Sequence, residues 1–245
     1  MLSDVLECPD AFLAPAEEID GEVAAPAVPD RRPGTRRGLA VRFLIGFVAF
    51  LLVGNGLIMA STLFFRVATP AAAAEAAGTA NVHPVDGKVI RGAAPSPEGL
   101  RDLAAAGVTT IVDLRAEADL SVDEDLLAEL GIERFHLPIR DGQLPSEAQA
   151  RELLDIVAAA PGKVFLHCGA GVGRTGAMTA WYLNATGQAG GTEALRRNLS
   201  VGPPSLEQIV FSLGTANGEY RRPGLGVTVA SRVLDGPRRI WHNLT

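Results

Sequence analysis

Residues 163–183 impose the tightest constraint on how this chain can fold. Lys163-Val164-Phe165-Leu166 is a short apolar run that suits a buried strand. It passes directly into Cys168-Gly169-Ala170-Gly171-Val172-Gly173-Arg174, and Thr175–Leu183 then reads as helical. The surrounding sequence repeats this alternation. Lys88-Val89-Ile90 is a short strand, and Ser96 and Pro97 are the N-cap and first position of a helix that Gly107 ends. Val108–Leu114 and Ile132–Leu137 are strands. Ser121 and Glu124, like Ser146 and Gln149, have capping-box spacing before leucine-rich helices. Two further short helices fall near 191–199 and 204–214. Strands alternating with helices predict an α/β fold: a central, mainly parallel sheet flanked by helices.

The loop after the strand at 163–166 has a chemistry that follows from its residues. Gly169, Ala170, Gly171, Val172 and Gly173 leave the backbone uncluttered, and the glycines allow positive φ where a turn needs it. Backbone N–H groups can then converge, and the helix N-terminus adds its dipole, which makes a cradle for an anion the size of phosphate. Cys168 sits at the mouth of that cradle, where the same dipoles favour the thiolate and lower the thiol pKa. Arg174 follows six residues later with a planar fork that can hold two phosphate oxygens. Thr175 has a hydroxyl placed to bond the thiolate, and His167 orients the loop. Glycines alone could serve tight packing, and a lone buried cysteine is usually inert. The combination of residue types points to phosphate chemistry.

Residues 167–175 resemble the signature of the protein tyrosine phosphatase superfamily, His-Cys-x5-Arg-Ser/Thr. Ala170-Gly171 and Gly173-Arg174-Thr175-Gly176 match its tyrosine-specific and dual-specificity branches, and the size is similar to the compact dual-specificity enzymes. The likeness covers residues 82–215, including Arg91-Gly92, Pro95-Ser96-Pro97 and Asp113-Leu114-Arg115. The resemblance implies a phosphatase fold and hydrolysis of phosphomonoesters through a phosphocysteine. Cys168 is the implied nucleophile, Gly169–Gly173 and Arg174 the phosphate ligands, and an aspartate on a preceding loop the general acid. Asp141 in Leu137-Pro138-Ile139-Arg140-Asp141-Gly142 fits that acid, 168 − 141 = 27 residues before the cysteine. Asp113 is the competing carboxylate, read as a partner of Arg115 or a loop brace. No metal or cofactor is implied. The substrate class is phosphotyrosine or mixed phosphoprotein. Inositol phosphates or phosphoinositides are the alternative, as is an inactive phospho-residue binder. The absence of lysine or arginine from residues 169–173 favours a singly phosphorylated substrate.

The rest of the chain adds a membrane expectation. Phe43–Phe65 holds 23 residues without a charge, and at about 1.5 Å per residue it would span a bilayer core of about 30 Å. Residues 39–66 are therefore expected as one N-terminal transmembrane helix, after a disordered leader at 1–38 and before an Ala-rich linker at 67–81. Arg31, Arg32, Arg36, Arg37 and Arg42 precede the span and only Arg66 closely follows it. The positive-inside rule then puts the N-terminus in the cytoplasm and the catalytic domain outside. Ala71–Ala74 could instead hold a cleavage site. Residues 216–245 are expected as a loosely ordered tail, with Ile240-Trp241 able to dock on the domain or a membrane. The net charge of −6 gives no footprint for nucleic acid. Cys8 and Cys168 lie too far apart in the chain's organisation to suggest a disulfide, and His83, His136 and His242 have no metal-binding spacing.

Overall fold

The computed structural model describes residues 34–69, 76, 78–117, 123–215 and 218–244, with side chains over 38–237. Cys8, Arg31, Arg32, Ala71–Ala74 and Ser121 lie outside the described residues, as do the side chains of Arg36, Arg37, Ile240 and Trp241.

Helix α1 runs from Gly34 to Ala68. From Gly38 on it is long and apolar enough to cross a membrane, and its most apolar stretch is not buried by the rest of the chain. Five strands follow among the described residues: β1 (His83–Pro84), β2 (Val89–Gly92), β3 (Val108–Arg115), β4 (Glu133–Ile139) and β5 (Lys163–His167). They form one sheet in the order β1-β2-β5-β3-β4. Only β1 pairs antiparallel; the remaining ladders are parallel. The expected α/β architecture is the one found. The last strand in sequence, β5, lies at the centre of the sheet between β2 and β3. The crevice beyond its carboxyl end is where ligands bind in open α/β sheets.

The helices are α2 (Pro97–Ala105), α3 (Glu124–Glu129), α4 (Glu147–Ala159), α5 (Gly173–Ala185), α6 (Gly191–Val201), α7 (Leu206–Gly214) and α8 (Leu225–Leu244). They cover both faces of the sheet, and the two-residue period of the strands shows how. Val164 and Leu166 of β5, with Val112 and Leu114 of β3, pack with Leu153 and Val157 of α4, Met178 and Trp181 of α5, and Phe211 of α7. Phe165 and Ile111 point the other way, toward Leu100 and Leu103 of α2 and Leu126 and Leu127 of α3.

Local signals account for most helix starts. Ser96 accepts a hydrogen bond from Gly99 N and is followed by Pro97, as expected. Ser146 forms a complete capping box: Gln149 N donates to Ser146 Oγ at 3.2 Å, and Ser146 N donates to Gln149 Oε1 at 2.9 Å. The expected box at Ser121 falls outside the described residues. Among the described residues Asp123 is the N-cap of α3, accepting from Leu126 N at 2.9 Å.

The expected loose tail is also corrected. Residues 225–244 form α8, tied to α7 through Glu207, which pairs with Arg232 at 3.2 Å and whose N–H donates to Ser231 Oγ at 3.1 Å. Before it, Tyr220 packs edge-on against Trp181 and Phe211. Leu234 of α8 lies over Gly54 of α1, and Asn55 Nδ2 donates to the Leu234 carbonyl at 3.2 Å.

Replacing Ser146 by alanine removes the acceptor for Gln149 N. The expected loss is about 1 kcal/mol, read as a lower urea midpoint with an unchanged slope.

Candidate active site

Cys168 follows β5 directly and is 3% exposed. The loop after it is shaped by bonds made on its outer side. Ala94 N donates to the Gly169 carbonyl at 3.0 Å. Asn81 Nδ2 donates to the Ala170 carbonyl at 2.9 Å. Arg91 Nη2 donates to the carbonyls of Gly171 at 2.8 Å and Val172 at 3.2 Å. Four consecutive carbonyls are thus engaged outward. In a trans peptide the N–H lies opposite the carbonyl, so the N–H groups of residues 170–173 are directed to the inner side. The first turn of α5 adds its own, since Val172 at its N-cap supplies no side-chain acceptor. The result is a ring of N–H groups around the space above Cys168, the arrangement that anions occupy.

Close approaches fix this loop. Gly171 has φ +71°, and a Cβ there would stand 2.3 Å from the carbonyl carbon of Gly92. A Cβ on Gly176 would meet Asn198 Oδ1 at 1.9 Å. That space lets Asn198 reach beneath α5 and accept from Arg91 Nη2 at 3.1 Å.

Arg174 is 5% exposed, and its guanidinium is held by three groups. Its Nη1 donates to both carboxylate oxygens of Glu117, at 2.7 and 2.9 Å, and to the Ile139 carbonyl at 3.1 Å. Asp141 Oδ1 lies 3.6 Å from its Nε. Burial works against the Arg174 charge, but the bonds from Glu117 and the nearby negative groups outweigh it and raise its pKa. Glu117 is lowered in turn: its partial burial opposes ionisation, and the Arg174 bonds more than offset that.

Asp141 occupies a turn after β4, closed by Gln143 N donating to the Arg140 carbonyl at 3.0 Å, with Gly142 at φ +67°. Its side chain is 63% exposed. The segment is braced from behind by Gln208 Nε2, which donates to the Gln143 carbonyl at 3.3 Å, and by Tyr220, whose hydroxyl donates to the Pro145 carbonyl.

Asp113 is elsewhere, fully buried under the loop. Burial alone would raise its pKa, but Arg115 (2.9 Å) and Arg134 (2.9 Å) bind its carboxylate and hold it well below the usual range. It pairs with Arg115, one of the two roles expected for the competing carboxylate. His167 lies 3.9 Å from Asp113 and stacks on Phe165. Burial pushes its pKa down to about 4 even though Asp113 favours its charge. At neutral pH His167 is therefore an uncharged ring, and the two arginines keep Asp113 ionised. Thr175 is fully buried, and its hydroxyl makes no hydrogen bond, including to Cys168.

All the expected site residues thus converge on one place. Reading the sequence did not find Glu117, Asn81, Asn198 or Gln208. Glu117, two residues past Arg115, carried a faint signal as a carboxylate just beyond a strand end. Gln208 carried another, at capping-box spacing from Ser205, with which it forms a complete box; Asn81 and Asn198 act through single side-chain bonds that leave no pattern.

Comparisons with known proteins find phosphatases. An invertebrate iridescent virus 3 protein, "Putative tyrosine phosphatase 067L", is 35% identical over 107 residues, 40% of this chain and 43% of the viral one. Human "Dual specificity protein phosphatase CDC14C" is 36% identical over 76 residues, which cover 31% of this chain and 16% of that protein. The chain therefore spans only a small part of such relatives. Among solved structures, Tk-PTP in its active form aligns at 25% identity with a TM-score of 0.49, over 56% of this chain and 96% of that one. In class, the chain is a dual-specificity-like member of the protein tyrosine phosphatase superfamily. More particularly, it belongs to the family described as "PTP-NADK: DSP-PTPase phosphatase fused to NAD+ Kinase", whose profile matches residues 63–211. The probable NAD kinase 2 of rice is 41% identical over 95 residues, 36% of this chain and 10% of the rice protein.

The depressed His167 pKa has a consequence for stability. Its folded value of about 4 lies below the unfolded value near 6.5. The unfolded chain therefore takes up this proton first as pH falls. The stability from neutral His167 is complete above about pH 6.5 and is lost toward pH 4, by at most about 3 kcal/mol. Asp113 acts in the same direction, but only below about pH 4. His167→Asn should flatten the fall in urea midpoint between those two values; an unchanged slope would contradict a buried neutral ring.

Proposed function

We propose that this chain is a cysteine-dependent phosphatase that hydrolyses phosphomonoesters, with phosphotyrosine or mixed phosphoprotein as substrate. The observation that carries the reading is the set of outward-bonded carbonyls at residues 169–172, which leaves inward N–H groups above Cys168. That ring stabilises equatorial phosphoryl oxygens, where charge resides in the transition state. Arg174 offers its remaining N–H groups to two of those oxygens while Glu117 fixes its plane.

The reaction takes two steps. The Cys168 thiolate attacks phosphorus in line, forming the S–P bond as the P–O bond to the leaving group breaks. Asp141 donates its proton to the departing oxygen. A water molecule then attacks the phosphocysteine, Asp141 takes its proton, and the S–P bond breaks to return the thiolate. The unused hydroxyl of Thr175 is the donor for that sulfur. Asp141 suits the acid role because it is exposed, next to Arg174, and on a turn that substrate can reach. No charged side chain projects from residues 169–173, which favours a singly phosphorylated substrate over an inositol polyphosphate.

Helix α1 is proposed as a single membrane anchor, with its arginine-rich end in the cytoplasm and the catalytic domain outside. In a bilayer the contact between Gly54 and Leu234 would give way. Otherwise α8, with Arg232 and Asp235, would be carried to mid-depth, where charges are costly.

Cys168→Ser should abolish hydrolysis of an aryl phosphate while phosphate binding is retained; residual turnover at the native rate would overturn the mechanism. Asp141→Asn should lower kcat by about 10²–10⁴. The loss should shrink as the leaving group becomes more acidic, because a good leaving group needs no proton. An equal loss for all leaving groups would place the acid elsewhere.

A further inference from the structure

Arg91 also faces a second space. A cavity of about 210 Å³ is lined by Arg91, Arg196, Arg197, His83, Thr179 and Ser200, among others. It lies behind the loop, since Arg91 meets the outward carbonyls of Gly171 and Val172. The volume falls below the range of about 300–1,000 Å³ typical of drug-sized ligands. It suits a phosphate group with a small substituent.

Two polar groups here are buried without a hydrogen-bond partner. Arg91 is 3% exposed and its Nε has none; Thr179 is 4% exposed and its Oγ1 has none. Buried N–H and O–H groups are nearly always paired, so each is open to a partner that a small shift of its side chain toward the cavity would bring within reach. The charge balance points the same way. Arg91 has no ion pair with a carboxylate among the described residues. Burial lowers its pKa to about 10. Arg196 and Arg197 share one carboxylate, Glu193, at 2.6 and 2.9 Å. Among the described residues the three guanidinium groups of the lining thus have one carboxylate partner between them, held by two of the three.

We propose that this cavity is a second anion site that takes a phosphate group, free or on a lipid headgroup, and that Arg91 couples its occupancy to the loop above Cys168. An occupant that accepts from Arg91 Nε changes how firmly Nη2 holds the carbonyls of Gly171 and Val172. The binding claim is independent of the phosphatase reading; the effect on turnover rests on it.

The test uses the full chain in phosphatidylcholine nanodiscs. In a Cys168→Ser/Arg174→Met background, calorimetric titration with inorganic phosphate should still show one saturable event. Adding Arg196→Gln/Arg197→Gln should weaken it about tenfold or more. Thr179→Val keeps the side chain's shape, guards against a folding artefact, and should weaken binding by about two- to tenfold. For the lipid source, hydrolysis of an aryl phosphate by the otherwise native chain is compared in nanodiscs with and without phosphatidic acid. A change that Arg196→Gln/Arg197→Gln abolishes, while leaving the rate in pure phosphatidylcholine intact, supports a headgroup as occupant. Phosphate binding without such a change supports the free anion. Absence of both effects, or binding untouched by the variants, overturns the site. Binding that survives when the native chain lacks phosphatase activity would sink only the catalytic reading.

Discussion

The grip of Arg91 on two loop carbonyls is the interaction on which the site depends. A peptide unit can turn only one of its two polar groups toward the cradle, and an anion requires that it be the N–H. Left alone, an irregular loop has no reason to choose. Asn81, Ala94 and Arg91 make the choice by offering donors on the outer side. The cost is a guanidinium buried without a carboxylate partner among the described residues. Such a group is tolerated only where surrounding acceptors are plentiful, and the two carbonyls and Asn198 supply them.

Around this grip the molecule separates fixed parts from adjustable ones. The loop is pinned from below by β2 and from the side by α5 and α6. Arg174 is pinned by Glu117 and the Ile139 carbonyl. Asp141 stands on an exposed turn held at its far end by Gln208 and Tyr220. A nucleophile and its phosphate ligands need fixed positions, because misplacement forfeits the benefit of orientation. The acid role proposed for Asp141, admitting substrate and then closing on the leaving oxygen, does not. The distribution of bonds follows that division.

Much of this was legible in the sequence. The central strand, the glycine loop and the helix after it announced themselves because each carries a local signal: β-branched and aromatic residues, small residues, then a helical run. Capping at Ser96 and Ser146 followed from spacing. The failures also have physical causes. The cap at Asp123 was overlooked because a carboxylate before Glu124 and Asp125 reads as one more acid in a charged run. The C-terminal helix was missed because its pattern mixes arginines, an aspartate and Pro237, so its order comes from Glu207, Ser231 and other tertiary partners. Glu117 and Asn198 act across large sequence separations, 57 residues to Arg174 and 107 to Arg91. Neither separation leaves a spacing to recognise.

The contact between Gly171 and Gly92 limits how such a site can change. A side chain at Gly171 would drive two backbones apart, and one at Gly92 would press into the ring of Phe165, so the wall facing β2 is closed to variation. New substrate preferences in this chain and its kin have to be written on the opposite rim, around Glu117 and Asp141, where side chains face water. Diversity along a lineage, or in a laboratory library aimed at altered selectivity, should therefore gather on that one side of the mouth while the other stays bare glycine.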